Sequence, residues 1–205
     1  MHALIVSNGF PPTQKLLEKE LSKADLLIGA DGGGNRILER EFHPDFVIGD
    51  MDSFVAPENP QFEIIHDPDQ ETNDLEKALD LALKNGAKTT NVLGAFGQRM
   101  DHSLKNLSVL KQFHAKFNRL IYRDENFDAF IVDHAYSGKS NIGSVVSLFP
   151  LSGAVHGIKT KGLKYPLSGE TLENGFRDGT SNEAIDTEFF IEIEEGDLVV
   201  FVERN

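Results

Sequence analysis

The first 118 residues alternate between short apolar runs and segments whose apolar residues recur at helical spacing. Most of the apolar runs lead into glycine, asparagine or aspartate. Short buried strands that alternate with helices predict a parallel sheet covered by helices on both faces. The apolar runs are ALIVSNG, DLLIGADGGG, DFVIGDMDS, FEIIHDPD and TTNVLGAFG, and the helical segments are PTQKLLEKELSKA, NRILERE, residues 73–85 and DHSLKNLSVLKQF.

The strongest helical pattern covers residues 73–85. Asn73 is the predicted N-cap, Glu76 stands where a capping box needs a carboxylate, and Gly86 suits the position just beyond the helix end. The apolar residues of this segment fall on one stripe, which predicts packing against the sheet. The stripe consists of Leu75, Ala78, Leu79, Ala82 and Leu83.

Beyond about residue 118 the pattern changes to strand-like runs separated by turns, without helical spacing. These runs are RLIYRD, FDAFIVD, SVVSLFPL, AVHGIKTKGL, FFIEIEE and DLVVFVER. Several short strands with turns between them are typical of an antiparallel sandwich. The predicted fold class is therefore α/β followed by all-β. An open, mostly parallel, Rossmann-like α/β domain spans residues 1–118, and an antiparallel β-sandwich spans residues 119–205.

Composition narrows the class of protein and of metal site. The 205 residues include no cysteine, which excludes a disulfide framework and cysteine-ligated zinc. The excess of 33 acidic over 20 basic residues argues against a nucleic-acid binder. MHALIVSNGF lacks the basic and long apolar regions of a signal peptide, and no apolar run approaches the roughly 18–20 residues of a membrane span. We expect a cytoplasmic protein that binds neither nucleic acid nor membrane.

Polar and glycine-rich clusters follow the predicted strands of the first domain. In an open parallel sheet, ligands bind beyond the carboxyl ends of the strands. If the strands are parallel, all five clusters face one edge of the sheet, which we predict to be the binding site. The clusters are Ser7–Gly9, Asp31–Asn35, Asp50–Ser53, Asp67–Asp74 and Gly94–Asp101.

The segment GDMDS places Asp50 and Asp52 directly after a predicted buried strand, in a chain of formal net charge −13. Grouped aspartates without cysteine or a histidine cluster suit a hard, oxygen-preferring ion, Mg²⁺ first, with Mn²⁺ as the alternative. With Asp31 and Asp74 at the same edge, we predict a metal site built from all four. The simpler alternatives are a turn or helix cap for Asp50 or Asp52. For Asp74 the alternative is a helix-dipole contact worth about 0.3–1 kcal/mol.

The glycine-rich segment ADGGGN lies between a predicted strand and a predicted helix. Glycine lets a backbone approach a phosphate closely, and a helix N-terminus presents free N–H groups. Gly32, Gly33 and Asn35 are therefore candidates for binding the phosphates of a ligand. The segment matches neither the dinucleotide fingerprint nor the P-loop, and a tight turn explains it equally well.

Two further segments supply candidate binding residues. Arg99 is a candidate phosphate clamp, with a salt bridge to Asp101 or another carboxylate as the alternative. His102 is kept as a polar contact, against core packing or helix capping. Uncharged hydrogen-bonding side chains in QETND are candidates to orient a polar substrate. They are Gln70, Thr72 and Asn73.

The five clusters, in this order, resemble the thiamine pyrophosphokinase family of bacterial type. The matching stretches are ADGGGN, IGDMDS, DQETNDLEKAL, GAFGQRMDHSLKNL, GLKYPL and GTSNE, which together extend over essentially the whole chain. The resemblance implies an α/β domain followed by a β-sandwich. It also implies a homodimer whose active site lies between the α/β domain of one subunit and the β domain of the other. The implied reaction moves the terminal diphosphate of ATP to the hydroxyethyl oxygen of thiamine and releases AMP.

The resemblance also implies roles for individual residues. The four aspartates are similar to the Mg²⁺ and phosphate-site carboxylates, and Gln70 and Asp74 to thiamine contacts. Arg99 and Asp101 are similar to part of the ATP pocket, and Ser181 with Asn182 to the contribution of the partner's β domain. Asp74 is our choice as the acceptor of the hydroxyl proton. Some members place a tryptophan against thiamine, and this chain has none.

Two other functions compete with this interpretation. The DMDS segment is also compatible with a metal-dependent phosphatase that uses an aspartyl nucleophile, although that motif usually follows the first strand of the fold. A non-catalytic nucleotide-sensing module would retain the glycine loops but has no need of four converging aspartates. Products formed from ATP, Mg²⁺ and thiamine distinguish the three.

Overall fold

The computed structural model describes residues 1–204, which fall into two compact units. The first unit is Met1–Glu125 and the second begins at Asn126. The division therefore follows Glu125, whereas the change of sequence pattern had placed it after residue 118. The strand Arg119–Arg123 lies between these two positions. It pairs in parallel with the strand Thr89–Leu93 of the first unit, so it belongs to the sheet of that unit.

The first unit is a parallel sheet whose strands run in the order β4-β3-β2-β1-β5-β6. The chain starts at β1, moves outward through β2 to β4, and then crosses to β5 and β6 on the other side of β1. This order makes the carboxyl end of β1 the topological switch point of the sheet. The strands are β1 (His2–Val6), β2 (Leu26–Ala30), β3 (Phe46–Gly49), β4 (Glu63–His66), β5 (Thr89–Leu93) and β6 (Arg119–Arg123).

Four helices accompany this sheet, at the positions that the apolar spacing predicts. The helix predicted most strongly, α3, begins with the expected capping box: the Asn73 side chain accepts a hydrogen bond from the Glu76 N–H, and the Glu76 carboxylate accepts one from the Asn73 N–H. Gly86, just past its end, has the positive φ of 89° expected there. The helices are α1 (Gln14–Leu21), α2 (Gly33–Leu38), α3 (Asp74–Lys84) and α4 (Met100–His114).

The central strands are buried along almost their whole length, as strands covered on both faces must be. One core cluster joins β1, β2 and β5 to helices α1 and α2. It is formed by Leu4, Val6, Leu16, Leu17, Leu27, Ile37 and Leu93.

A buried ionic network lies between α1 and the strands β5 and β6. The Glu20 side chain is fully buried and accepts hydrogen bonds from Lys23 at 3.0 Å, Arg123 at 2.7 Å and Asn91 at 2.8 Å. Burial alone raises the pKa of Glu20, but these partners outweigh it and lower the pKa to about 2. Glu20 is therefore ionised at neutral pH and ties α1 to the sheet.

In the second unit, strands β7, β13 and β9 pair antiparallel in that order, and a separate four-stranded antiparallel sheet has the order β11-β10-β12-β8. Together with the parallel sheet of the first unit, they confirm the predicted fold class. The strands are β7 (Phe127–Val132), β8 (Ala135–Lys139), β9 (Val146–Pro150), β10 (Val155–Lys161), β11 (Ser168–Leu172), β12 (Glu188–Glu192) and β13 (Leu198–Glu203).

The sequence pattern did not predict β8 or β11. Their sequences, AYSGK and SGETL, are polar and contain glycine, so they lack a strand-like apolar pattern. Both lie at the edges of their sheet. Backbone pairing of β8 with β12 and of β11 with β10 therefore stabilises these strands, rather than the strand propensity of their own side chains. Aromatic contacts connect β7, β8 and β12. The centroid of the Tyr136 ring lies 4.5 Å from that of Phe130 and 5.9 Å from that of Phe189.

Among residues 1–204, no helix is both long enough and apolar enough to span a membrane.

Candidate active site

A cavity of about 540 Å³ opens at the carboxyl ends of the strands in the first unit. All five strand-end clusters contribute residues to its wall, so the parallel arrangement does bring them together. Ser7–Gly9 follow β1, and Ala95–Arg99 follow β5. The predicted site residues that line the cavity are Asp31, Asp50, Asp52, Gln70, Thr72, Asn73, Asp74, Arg99 and His102.

Three carboxylates from three different strand ends form the acidic centre of this cavity. Asp31 follows β2, Asp50 follows β3, and Asp74 is the first residue of α3. Each offers an oxygen atom within 4.8 Å of the other two. The Asp50 N–H also donates to Asp74 Oδ1 at 3.3 Å, and the Phe54 N–H donates to Asp31 Oδ1 at 3.2 Å. We call Asp31, Asp50 and Asp74 the acidic triad.

A glycine makes this close approach of carboxylates sterically feasible. A β-carbon at Gly49, the last residue of β3, would lie 2.7 Å from the β-carbon of Asp31 and 2.9 Å from Oδ1 of Asp74. Side chains in folded proteins do not pack at such distances. The absence of a side chain at position 49 therefore provides the space in which Asp31 and Asp74 face each other.

The electrostatics of the triad favour a bound cation. Burial, and next to it the charge of Asp31, raises the pKa of Asp74. Burial likewise raises the pKa of Asp31, against hydrogen bonds from Gly32 and Ser53. Asp50 differs, because the hydrogen bond from Gln70 lowers its pKa. Crowded carboxylate oxygens of this kind are the donor set of Mg²⁺ and Mn²⁺, so these residues fit the predicted metal.

Asp52 lines the cavity but is not a member of the triad. Its N–H donates to Asp50 Oδ1 at 3.2 Å, and its carboxylate accepts from the Ser53 hydroxyl at 2.8 Å. Met51 between the two aspartates has a positive φ of 65°. Asp50 thus both caps a tight turn and takes part in the triad, so the two interpretations of GDMDS are compatible.

Lys77 is a cavity residue that the sequence pattern did not identify. Its side chain is only 3% exposed, and its ammonium nitrogen lies 3.7 Å from Asp74 Oδ1. It also donates to the Asp67 carbonyl at 2.7 Å. The spacing of three residues between Asp74 and Lys77 on a predicted helix is the signal that could have found it. Lys77 places a fixed positive charge against Asp74.

The glycine segment after β2 serves close packing of α2. A β-carbon at Gly33 would lie 1.9 Å from the Val6 carbonyl oxygen, and one at Gly32 would lie 2.4 Å from the Asn8 side chain. The Asn35 amide donates to the Ser53 carbonyl at 2.8 Å and accepts from the Val55 N–H at 3.0 Å. None of the three residues lines the cavity. The contacts of Asn35 position the loop that follows Asp52, and the predicted role of all three residues toward ATP stays a prediction.

The polar side chains of QETND differ in how far they are used for contacts within the protein. Gln70 donates to Asp50 Oδ2 at 3.1 Å and is exposed. Thr72 donates to Asp69 at 3.3 Å. The Asn73 side chain is used internally, because its oxygen caps α3 and its amide nitrogen donates to Asn106 at 3.0 Å. Gln70 and Thr72 are therefore better placed than Asn73 to meet a substrate.

At the start of α4, Arg99 forms the salt bridge to Asp101 that the sequence analysis kept as an alternative. The guanidinium Nε lies 3.1 Å from Asp101 Oδ1, and both side chains are exposed. This pairing raises the pKa of Arg99 and lowers the pKa of Asp101. Arg99 and His102 line the cavity, whereas Asp101 does not. Because an exposed pair is weak, the guanidinium is available to exchange Asp101 for a phosphate.

Ser181 and Asn182 lie in the second unit, next to a cavity of about 180 Å³. The Asn182 amide is buried and clamps the backbone of Tyr165, accepting from its N–H at 3.0 Å and donating to its carbonyl at 2.8 Å. Ser181 is exposed, with a positive φ of 59°, and its N–H donates to the Ser147 hydroxyl at 3.0 Å. The observed contacts of Asn182 are thus internal, and its predicted role toward thiamine stays a prediction. Ser181 has an exposed side chain on a backbone of positive φ, which is uncommon for a residue other than glycine.

Two family descriptions match this chain and divide it as the structure does. Residues 17–122 match "Thiamin pyrophosphokinase, catalytic domain", and residues 135–198 match "Thiamin pyrophosphokinase, vitamin B1 binding domain". The first match contains the whole acidic triad, and the second contains Ser181 and Asn182.

Individual relatives and solved structures agree with the family matches. The chain is 31% identical over 212 residues to thiamine pyrophosphokinase 2 of Oryza sativa subsp. japonica, covering 88% of this chain and 78% of the relative. It is 28% identical over 184 residues to thiamine pyrophosphokinase of Bacillus subtilis (strain 168), covering 85% and 86%. The crystal structure of thiamine pyrophosphokinase from Bacillus subtilis matches over 100% of both chains with a TM-score of 0.87 at 24% identity, which shows a shared fold. The chain therefore belongs to the thiamin pyrophosphokinase family.

Proposed function

We propose that this chain transfers the diphosphate group of ATP to the hydroxyethyl oxygen of thiamine, giving thiamine diphosphate and AMP. The observation that carries the proposal is the acidic triad: three carboxylates from separate strand ends meet within 4.8 Å in a cavity lined by all five strand-end clusters. Family membership supplies the identity of the two substrates.

In the proposed reaction, the thiamine hydroxyl oxygen attacks the β-phosphorus of ATP. The bond from that phosphorus to the oxygen bridging to the α-phosphate breaks, and this oxygen leaves with AMP. A divalent cation, Mg²⁺ or alternatively Mn²⁺, would be held by Asp31, Asp50 and Asp74, with Asp52 close by, and would neutralise the phosphate oxygens. The protein residues otherwise act by positioning, which accounts for much of phosphoryl-transfer catalysis.

Asp74 is the proposed acceptor of the hydroxyl proton. In the metal-free protein the pKa of Asp74 is raised whereas that of Asp50 is lowered, which makes Asp74 the stronger base of the two before a cation binds. Lys77 holds the Asp74 carboxylate at 3.7 Å and fixes its direction. Gln70, hydrogen-bonded to Asp50, is placed to bind thiamine beside the same group.

The charge of the cavity suits thiamine as well as the metal. Thiamine carries a cationic thiazolium ring, and the acidic triad with Asp52 gives the cavity an excess of negative charge. Arg99 is the proposed contact to the ATP phosphates, because it lines the cavity and its pair with Asp101 is exposed on both sides. Gly32, Gly33, Asn35, Asp101 and His102 are the remaining proposed ATP-site residues, and Thr72 and Asn73 the remaining thiamine-site residues.

We further propose a homodimer whose active site lies between the first unit of one subunit and the second unit of the other. The first unit carries the ATP and metal site, and the second unit contributes Ser181 and Asn182 toward thiamine. The family match of residues 135–198 to a vitamin B1 binding domain supports this division of roles. The cytoplasm is the proposed location, because ATP, the proposed co-substrate, is produced and consumed there.

Incubation of the protein with ATP, Mg²⁺ and thiamine tests the proposed function. Formation of AMP and thiamine diphosphate in equal amounts supports it. Release of free phosphate without thiamine diphosphate would instead favour the aspartyl phosphatase, and ATP binding without turnover would favour the sensor. Neither alternative is favoured by the family match.

A further inference from the structure

We propose that Asn106 is a positioning residue for diphosphate transfer, because it joins the Asp74 end of α3 to the segment that follows β5. This inference rests on the proposed function for its effect on turnover, and on the structure alone for its effect on the metal site. Asn106 lies on α4, where its side chain is buried with 6% of the residue exposed.

Both ends of the Asn106 amide are engaged. Its nitrogen donates to the Ala95 carbonyl at 2.6 Å, and its oxygen accepts from the amide nitrogen of Asn73 at 3.0 Å. Ala95 follows β5 in the cavity wall, and Asn73 is the N-cap of α3. A single planar group thus connects two strand-end clusters of the active site.

The orientation of these amides follows from the network itself. The Asn73 oxygen must face the Glu76 N–H, from which it accepts at 2.9 Å, so the Asn73 nitrogen points to Asn106. Asn106 must then accept with its oxygen and donate with its nitrogen to the Ala95 carbonyl. Asparagine offers both groups at this reach, whereas an ionised aspartate has no donor and leucine has neither group.

The position of Asn73 determines the position of Asp74, because the two are consecutive and Asp74 is the first residue of α3. Asp74 Oδ1 in turn accepts the Asp50 N–H at 3.3 Å and lies within 4.8 Å of the other triad oxygens. A second link between the helices, from Lys105 to Glu76 at 2.9 Å, involves a lysine that is 45% exposed and so constrains them less. The Asn106 bridge is therefore the more deeply buried of these two links between α3 and α4, and it constrains the end of α3 where Asp74 stands.

The test compares Asn106→Leu, Asn73→Ser and the double variant with the matched control Asn91→Leu. Asn91 is also a buried asparagine of the first unit; it donates to Glu20 at 2.8 Å and does not line the cavity. Serine at position 73 still caps α3, but its hydroxyl is one bond shorter than the asparagine amide and does not reach Asn106, so this variant removes the bridge with little risk to the fold. Three quantities are measured for each protein: the melting temperature, the affinity for Mn²⁺ alone, and the steady-state kinetic constants. Electron paramagnetic resonance detects the binding of Mn²⁺.

We expect Asn106→Leu and Asn73→Ser each to weaken Mn²⁺ binding and lower kcat by about 10-fold or more, the range seen when support behind metal ligands is lost. The double variant should be no worse than the more damaged single variant, because both break one bridge. Asn91→Leu should melt earlier while its Mn²⁺ affinity and kcat stay unchanged.

Three results would overturn the positioning role. The first is an unchanged Mn²⁺ affinity in both single variants. The second is an equal loss of Mn²⁺ affinity and kcat in Asn91→Leu. The third is a double variant in which the losses of kcat of the two single variants multiply, as direct contact of Asn106 with a substrate would produce. The Mn²⁺ titration needs no turnover. A wild-type protein that binds Mn²⁺ but forms no thiamine diphosphate would therefore refute the proposed function while leaving the test of Asn106 intact.

Discussion

Gly49 lies so close to Asp74 that a β-carbon at position 49 would stand 2.9 Å from the Asp74 Oδ1. Gly49→Ala should therefore push apart the triad carboxylates and lower kcat by about 100-fold, the effect of a roughly 1 Å displacement of a reacting group. The cost in unfolding free energy should be about 1–3 kcal/mol, as for other overpacked sites. Kinetics and thermal melting measure the two effects.

The control for Gly49→Ala is Gly138→Ala in the second unit. A β-carbon there would lie 2.3 Å from the Phe189 ring, so this variant is overpacked as well. It should lose stability while keeping kcat. Normal turnover in a folded Gly49→Ala protein would contradict the role of Gly49 as the spacer of the triad.

Asp74→Asn and Asp50→Asn should both abolish Mg²⁺-dependent turnover, with opposite effects on stability when Mg²⁺ is chelated. A raised pKa means that the ionised Asp74 destabilises the fold at neutral pH, so asparagine should raise the melting temperature, by about 2–4 °C for each kcal/mol relieved. The lowered pKa of Asp50 means that its ionised form is stabilising, so Asp50→Asn should give no such rise. Melting curves with and without Mg²⁺ decide, and a rise in both variants or in neither would contradict the assigned electrostatics.

Asp52→Asn should lose less Mg²⁺-dependent turnover than Asp50→Asn, because Asp52 stands outside the triad. The measurement is kcat as a function of Mg²⁺ concentration for both variants. Equal losses would restore Asp52 as a full metal ligand, and unaltered activity in both would remove the pair from the mechanism.

Arg99→Ala separates the phosphate clamp from the salt bridge. The pair with Asp101 is exposed on both sides, so its loss should leave the melting temperature unchanged. If Arg99 binds phosphate, KM for ATP should rise by about 10-fold or more, since a charged hydrogen bond contributes about 1.5–3 kcal/mol. Asp101→Asn is the comparison: it frees the guanidinium without removing it. An unchanged KM for ATP in Arg99→Ala would leave the salt bridge as the only role of Arg99.

Ser181→Ala should weaken the binding of thiamine more than the binding of ATP, so KM for thiamine should rise more than KM for ATP. Ser181→Gly is the matched variant, because glycine also lacks the hydroxyl but adopts a φ of 59° without strain. Similar rises of KM for thiamine in both variants would identify the hydroxyl as the contact. Equal losses for thiamine and ATP would count against the assigned place of Ser181.

Glu20→Gln tests the buried network by its pH dependence. Because the folded pKa of about 2 lies below the ordinary 4.5, ionised Glu20 stabilises the fold above pH 4.5, and this contribution disappears as the pH falls toward 2. The variant should lose about 3 kcal/mol at neutral pH, and its difference from the wild type should shrink between pH 4.5 and 2. Urea unfolding across this range measures it, with Glu39→Gln in the exposed pair with Arg36 as the control. A difference that stays constant with pH would show that Glu20 is not ionised.

Local sequence was enough for features that depend on neighbouring residues. The capping box of α3 depends on Asn73 and Glu76, three residues apart, and both contacts are present. The buried strands of the first unit followed from apolar runs, and the meeting of Asp31, Asp50 and Asp74 followed from strand ends that point the same way. By contrast, β8 and β11 become strands only through pairing with β12 and β10, so their own polar sequences could not predict them.

Within the site, the sequence alone determined which carboxylates and polar groups reach one edge of the sheet, because strands that alternate with helices run parallel and therefore end at the same edge. Tertiary structure alone decided that Asp52 stands outside the triad, that Gly49 must lack a side chain, and that Asn106 faces Asn73. These are distances across the sheet and between helices, and they depend on how closely α3 and α4 pack against it. Spacing along the chain carries no information about that packing.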